Sequence, residues 1–498
     1  MRPLRYLAAL LACVAVLAVA AAGCGGGDSG SGGLGSALSY VPADTPFALS
    51  IDTDLEGEQY KALDSILNRF PGADVIKNLL KAQLSMGQEG VEFDEDIKPQ
   101  LGNPAVISAT DVTSFLSDSE EASFVAALEV NDTDKLDSLI EKTGAKKEGE
   151  VAGATVYQDE DTSFAVDDDV VVLAGSRELL DAALERADGG DSLSEDAFDK
   201  GLEGLPDDAL ARVYVDVQGL LGQSEDAAAA RKIEWVAALR ALGLTVSAQK
   251  DSIDVEFNLH TDGDDLTDED LPVASGDEAA KVVQRPGEIG VGLRDPGQLV
   301  AFFESALQAV DPGAFGEYEQ GKRAISAKLD LNVDKDLIDQ LTGNLSVSAT
   351  IGGEFGVRAE VKDPDAFAKS VAKVADALPQ FGLGERVTRA GDLYTLHGSD
   401  GGTFVFGVVN GALVVATDAA RARGVATAEP EAVEGASGSL VLRADAEGIA
   451  RQVITQIAPN FNIPDPLIPL LARPFDELRG SVTTTTDGMK GKFSLTLG

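Results

Sequence analysis

Hydrophobic and polar positions alternate over short runs through most of the chain. Ser123–Val130, Val170–Ala174 and Ala211–Val217 each show the period of two that turns one side of a strand into a core. Ser481–Thr486 and Lys492–Leu497 flank Asp487-Gly488, a dipeptide suited to a tight hairpin turn, and Lys250-Asp251 separates a similar pair. Helical spacing interrupts these runs. Asp132–Lys142 carries Leu136, Leu139 and Ile140 on one face. Asp363–Ala377 carries Phe367, Val371 and Val374, and Arg177–Arg186 carries Leu179, Leu180 and Leu184. Strands follow one another directly often enough to predict α+β architecture, with antiparallel sheets and helices packed on one face. Ala227–Leu242 reads as a further helix that places Trp235 in a core beside Ile233, Val236 and Leu239.

The pattern occurs twice. Val41-Pro-Ala-Asp-Thr-Pro-Phe-Ala-Leu-Ser-Ile-Asp, followed by helical Gln59–Phe70, matches Gln284-Arg-Pro-Gly-Glu-Ile-Gly-Val-Gly-Leu-Arg-Asp, followed by Leu299–Val310. Asp94-x-Asp96-Ile97-x-x-Gln100-Leu101 matches Asp334-x-Asp336-Leu337-x-x-Gln340-Leu341, and Val170–Ala174 matches Ala412–Ala416. Asp216-x-x-Gly219 matches Asp445-x-x-Gly448. Matches that keep their order at a shift of about 230 to 242 positions predict a tandem duplication. The expected units are residues 39–260 and 282–498, joined by an acidic linker over 261–281.

The first residues fit neither pattern. Arg2 and Arg5 precede an apolar run from Leu7 to Ala22, and Ala21-Ala22-Gly23 supplies small residues before Cys24. That is the make-up of a secretion signal over residues 1–23, too short for a spanning helix of about 20 residues. A cysteine directly after such a site resembles the lipobox of bacterial lipoproteins. The resemblance implies lipidation of Cys24 and attachment to the extracytoplasmic face of the cell membrane. Gly25–Ala37 reads GGGDSGSGGLGSA, so residues 24–38 are expected to form a flexible tether.

The Tyr40-Val-Pro-Ala-Asp-Thr-Pro opening, the extended Leu-Ser-Ile-Asp run after it, and the helix ending at Phe70-Pro71 resemble the DUF3352 family of bacterial exported proteins. That resemblance spans most of residues 39–498. It implies an envelope location and carries over no catalytic residues.

Charge narrows the function classes. The formal net charge is −44, and it becomes more negative once Arg2 and Arg5 leave with the signal. Such a field repels phosphate backbones, which excludes nucleic acid as a partner. Cys13 leaves with the signal and Cys24 is the lipid carrier, so no thiol remains for nucleophilic or metal chemistry.

Candidate chemistry is sparse. The two histidines, His260 and His397, fall at unrelated repeat positions, against a shared base or metal role. Gly316-Glu-Tyr-Glu-Gln-Gly321-Lys322 has phosphate-loop spacing, but Arg323 stands where Ser or Thr should be, and its two glutamates would repel phosphate. Asp262, Asp264, Asp265, Asp268 and Asp270 crowd the linker without the ligand order of a calcium loop. Asp94, Asp96, Asp334, Asp336, Asp216 and Asp445 read as caps of the helices directly after them. The proline-broken apolar stretch Ile457–Phe475 reads as a short buried helix with stiff flanks, or as a groove cover. No catalytic residue, cofactor site or metal site is assigned. The expected function is non-catalytic binding or scaffolding at the envelope, with an unknown envelope protein as partner. Carriage of an apolar, lipid-like ligand between sheet and helices is the alternative, and an extracellular carboxylate hydrolase is a third class.

Overall fold

The computed structural model describes residues 33–74, 77–78, 81, 91–110, 123–159, 162–223, 227–381, 386–398, 402–461 and 464–498. The signal residues 1–23, Cys24 and the tether up to residue 32 lie outside the described residues. The described chain divides into two compact units. Residues up to 223, with 240–259 and 497–498, form the first; residues 227–239 and 260–496 form the second.

The first unit is built on ten strands. These are β1 (Phe47–Ile51), β2 (Ala105–Ala109), β3 (Phe124–Glu129), β4 (Lys146–Val151) and β5 (Ala154–Asp159), then β6 (Thr162–Asp167), β7 (Val170–Ala174), β8 (Ala211–Asp216), β9 (Leu239–Ala248) and β10 (Ser252–Thr261). Antiparallel pairing gives the order 4-5-6-7-3-2-1-8-9-10. Leu49 in β1 stands between Ile107 and Val213. Charged β4 (KKEGEV) ends the series, and charges on an unpaired strand edge discourage further strand addition.

Helices α1 (Leu34–Leu38), α2 (Glu58–Leu67), α3 (Thr133–Thr143), α4 (Arg177–Gly189), α5 (Glu195–Gly201) and α6 (Val217–Gln223) complete the unit. Leu180, Ala183 and Leu184 of α4 and Phe198 of α5 pack with Val106, Val125, Val156 and Val172. Burial of each large apolar side chain stabilises by roughly 1.5–3 kcal/mol. The caps are those the sequence supplies: Asp132 accepts the Lys135 N–H at 3.0 Å, and Ser176 accepts the Leu179 N–H at 3.3 Å.

α1 corrects only the last residues, 34–38, of the tether expected over residues 24–38. Leu34, Ala37 and Leu38 recur at i, i+3 and i+4, and all three are buried in the same core as Val106. A glycine- and serine-rich composition hid a small apolar face.

The second unit repeats the order of strands. Its strands are β11 (Ile289–Arg294), β12 (Asn344–Ala349), β13 (Phe355–Glu360), β14 (Arg386–Ala390) and β15 (Leu393–His397), then β16 (Thr403–Val409), β17 (Ala412–Ala416), β18 (Leu440–Asp445), β19 (Phe475–Thr485) and β20 (Gly488–Leu497). Their order is 14-15-16-17-13-12-11-18-19-20, the order of the first unit strand for strand. Its principal helices are α7 (Pro296–Val310), α8 (Pro312–Leu329), α9 (Pro364–Ala377), α10 (Ala419–Thr427), α11 (Ala446–Phe461) and α12 (Ile468–Ala472).

The expectation of helices on one face is corrected here. In β15, Leu393 joins the core with Val425 of α10, while its neighbour Tyr394 joins the core with Phe367 and Val371 of α9. Val414 and Leu413 of β17 divide in the same way. Adjacent strand residues point to opposite faces, so α9 and α10 cover opposite faces of these strands.

A buried ion pair fastens α10. Arg421 Nη1 lies 2.9 Å from Glu288 Oε1, with side chains 7% and 6% exposed. Arg421 Nη2 also donates to Ser348 O and Oγ, at 3.3 and 3.4 Å.

Two further expectations change. The helix expected over Ala227–Leu242 is two short turns, Ala227–Ala230 and Glu234–Ala238, and the chain is a strand from Leu239 onward. Strand pairing of Ala241 with Asp216 outcompetes the alanine helix propensity there. Trp235 is buried, as its apolar neighbours suggest. Within Ile457–Phe475, α11 runs on to Phe461 and α12 comes next with Ile468 and Ala472 buried, while Leu467 and Leu470 are exposed. Ile463 lies outside the described residues.

Candidate functional site

Groups with chemistry gather in the second unit around the first turns of α7. β11 ends at Arg294, and Asp295 adopts a left-handed conformation at φ 48° that turns the chain into Pro296, the start of α7. The Asp295 N–H donates to Gly343 O at 2.7 Å, and Asp295 Oδ1 accepts the Gly343 N–H at 3.2 Å. These two bonds tie the turn to the start of β12. Gln298 Nε2 donates to Asp268 O at 2.9 Å and to Leu271 O at 2.8 Å, which draws the linker over α7.

Between these parts lies an open cleft of about 660 Å³. That volume falls within the range of about 300–1,000 Å³ common for ligand sites. Val300, Ala301, Ile338 and Leu341 give it apolar walls. Asp268, Asp295, Glu304, Asp334 and Asp339 supply five carboxylates, and Arg294 is the cation among the lining residues. Arg294 Nη2 is spent on Ser275 O, and Nη1 stands 3.7 Å from Asp295 Oδ2.

Lys322 of α8 backs the cleft. Its ammonium lies 2.9 Å from Glu304, 2.9 Å from Glu319 and 2.6 Å from Asp334. Burial opposes its charge, but the hydrogen bonds it donates to these carboxylates outweigh burial and hold the ammonium well above the usual lysine range. Tyr318 donates to Glu304 at 2.8 Å. Burial, then that bond and the Glu304 charge, push its hydroxyl up to about 12. The phosphate-loop spacing over 316–322 therefore lies inside a helix, and its lysine is already neutralised by three carboxylates.

One linker carboxylate is engaged within its own turn. Asp270 accepts the Thr267 hydroxyl at 2.7 Å and its N–H at 2.8 Å, and those bonds hold its carboxyl below the usual range. Among the described residues, no group of three or more His, Cys, Asp or Glu is placed to hold a metal ion.

Asp216 and Asp445 act as expected: each accepts an N–H from the next turn, Gly219 and Gly448, at 2.9 Å. Asp96 and Asp336 depart from the expected role as caps of a later helix. Each sits inside a helical turn and bonds backwards, to the N–H of Glu92 and of Asn332, both at 2.8 Å. Asp94 pairs with Lys81 instead, at 3.0 Å, and Asp334 with Lys322. His397 is half-buried at the end of β15, with Nε2 3.1 Å from Thr388 Oγ1, and His260 lies near the end of β10. Sequence reading did not single out the α7 cleft, because its groups come from four separated stretches. The one available signal was Leu299 and Phe303 in a helix of high apolar content.

Among the described residues, no helix is long and apolar enough to cross a membrane. No curated protein matches the chain. Among solved structures, crystal form III of TP0453 is 11% identical over 46% of this chain and 82% of that chain, with a TM-score of 0.26. Crystal form I of TP0453 is 14% identical over 45% and 78%, with a TM-score of 0.25. The sequence profile described as "Protein of unknown function (DUF3352)" matches residues 6–375, most of the chain, and the chain belongs to that family.

Proposed function

We propose that this is a non-catalytic protein of the bacterial cell envelope that works by binding, held to the extracytoplasmic face of the membrane by lipid on Cys24. One observation carries the binding half of this reading. Two apolar side chains of α7 stand at the surface, Leu299 at 45% and Phe303 at 54% exposure, while Phe315, Tyr318 and Ile325 of α8 are half-buried and Pro296 is the one buried residue of α7. Apolar groups gathered on one surface mark contact sites. The sheet cores support binding over carriage, since they are filled by Ala, Val and Leu side chains in contact with one another.

The two units are read as products of one tandem duplication. Their shared strand order supports this, as do the paired Asp216/Gly219 and Asp445/Gly448 bonds and the paired backward bonds of Asp96 and Asp336.

Cys24→Ser tests the location. The variant is expected to fold normally and to leave the membrane fraction. Retention of the variant in washed membranes at high salt contradicts the lipid anchor.

A further inference from the structure

We infer that the cleft beside α7, with the apolar surface next to it, docks a basic amphipathic peptide segment of a partner protein. The inference rests on the binding reading above and gives it a partner chemistry.

Shape, charge and exposed apolar surface agree on this occupant. The cleft is open and of ligand size, with an apolar side formed by Val300, Ala301 and Ile338. Phe303 is the i+3 neighbour of Val300, so an exposed aromatic ring stands beside that wall. Five carboxylates face one lining guanidinium, and Lys322 behind them is already shared among three acids. The side-chain carboxylates of Asp268 and Asp339 are exposed and have no hydrogen-bond or ion-pair partner among the described residues. A lysine or arginine side chain fits this arrangement, because its stem lies on apolar surface while its charge reaches a carboxylate. An acidic or phosphorylated segment would meet like charge, which costs affinity and slows encounter.

The test uses a fluorescein-labelled Lys-Leu-Lys-Leu-Lys peptide, its Glu-Leu-Glu-Leu-Glu counterpart, and the full chain at about 150 mM salt, read by fluorescence anisotropy. The lysine peptide is expected to bind saturably and the glutamate peptide not at all. Asp268→Asn with Asp339→Asn should weaken binding about tenfold, and Phe303→Ser several-fold. Asp188→Asn with Asp191→Asn removes two exposed acids of the first unit and should change affinity by less than about twofold. Equal losses in both double variants would mean attraction to net charge and would overturn the docking site. Absence of lysine-peptide binding would overturn it too. A partner contact at Phe303 in cells, with no lysine-peptide binding, would leave the binding reading standing and remove the basic partner.

Discussion

Asp52 closes β1 and begins the step into α2. Its N–H donates to Leu210 O at 3.0 Å, its carbonyl accepts the Tyr60 hydroxyl at 2.7 Å, and Oδ1 accepts the Asp54 N–H at 2.8 Å. Burial is the main influence on its carboxyl. The Asp54 N–H offsets part of it, the Asp54 and Asp208 charges add to it, and the group moves from about 3.8 up to about 6. The folded state therefore holds this proton more tightly than the unfolded chain. Its contribution is most favourable below about pH 4, declines between about pH 4 and 6, and is lowest above that window. Asp52→Asn keeps an acceptor for Asp54 and removes the charge. The first unit should gain stability at pH 7, by up to about 3 kcal/mol, and lose the decline between about pH 4 and 6 in urea titrations. An unchanged pH profile would show that Asp52 is not the titrating group. At this scale the sequence was partly legible: Asp216 and Asp445 precede short helical segments and cap them. The backward bonds of Asp96 and Asp336 were not, because sequence spacing does not say where a distorted helical turn begins.

Among the elements, α10 gives the clearest test. Its cap Asp418 accepts the Arg421 N–H at 2.9 Å, and Arg421 three positions on is the buried partner of Glu288. In α4 the residue three positions after cap Ser176 is Leu179, which packs on an apolar core. At this one position an ion pair serves α10 where apolar contact serves α4. Arg421→Leu alone strands the Glu288 carboxylate and should cost about 3–5 kcal/mol. Arg421→Leu with Glu288→Leu should recover most of that loss in thermal unfolding. A double variant as unstable as the single would show that apolar packing cannot replace the pair. Short strands rich in β-branched residues, such as Val170–Ala174, were legible to the residue, because length and composition favour them. The helix read over Ala227–Leu242 was not, since alanine propensity is local while the pairing that claims Leu239 onward comes from β8. Coverage of both sheet faces was hidden for a similar reason: Leu393 and Tyr394 are both apolar, so alternation did not separate their two cores.

For the whole molecule, the shared strand order of the two units was legible, because the matched positions keep their order and spacing along the chain. The α7 cleft was invisible because Asp268, Asp295, Glu304 and Asp334 converge only after folding. A net charge of −44 disfavours anionic partners and favours cationic ones, but it does not select a surface. The exposed pair on α7 does. The most direct measurement places a photocrosslinking amino acid at Phe303 of the full-length protein in its native cells, with the same group at Asp188 as an exposed control. A binding protein that uses the α7 surface should give one discrete, saturable adduct from position 303 and none from position 188. No adduct at 303, or the same diffuse pattern at both positions, would contradict that account.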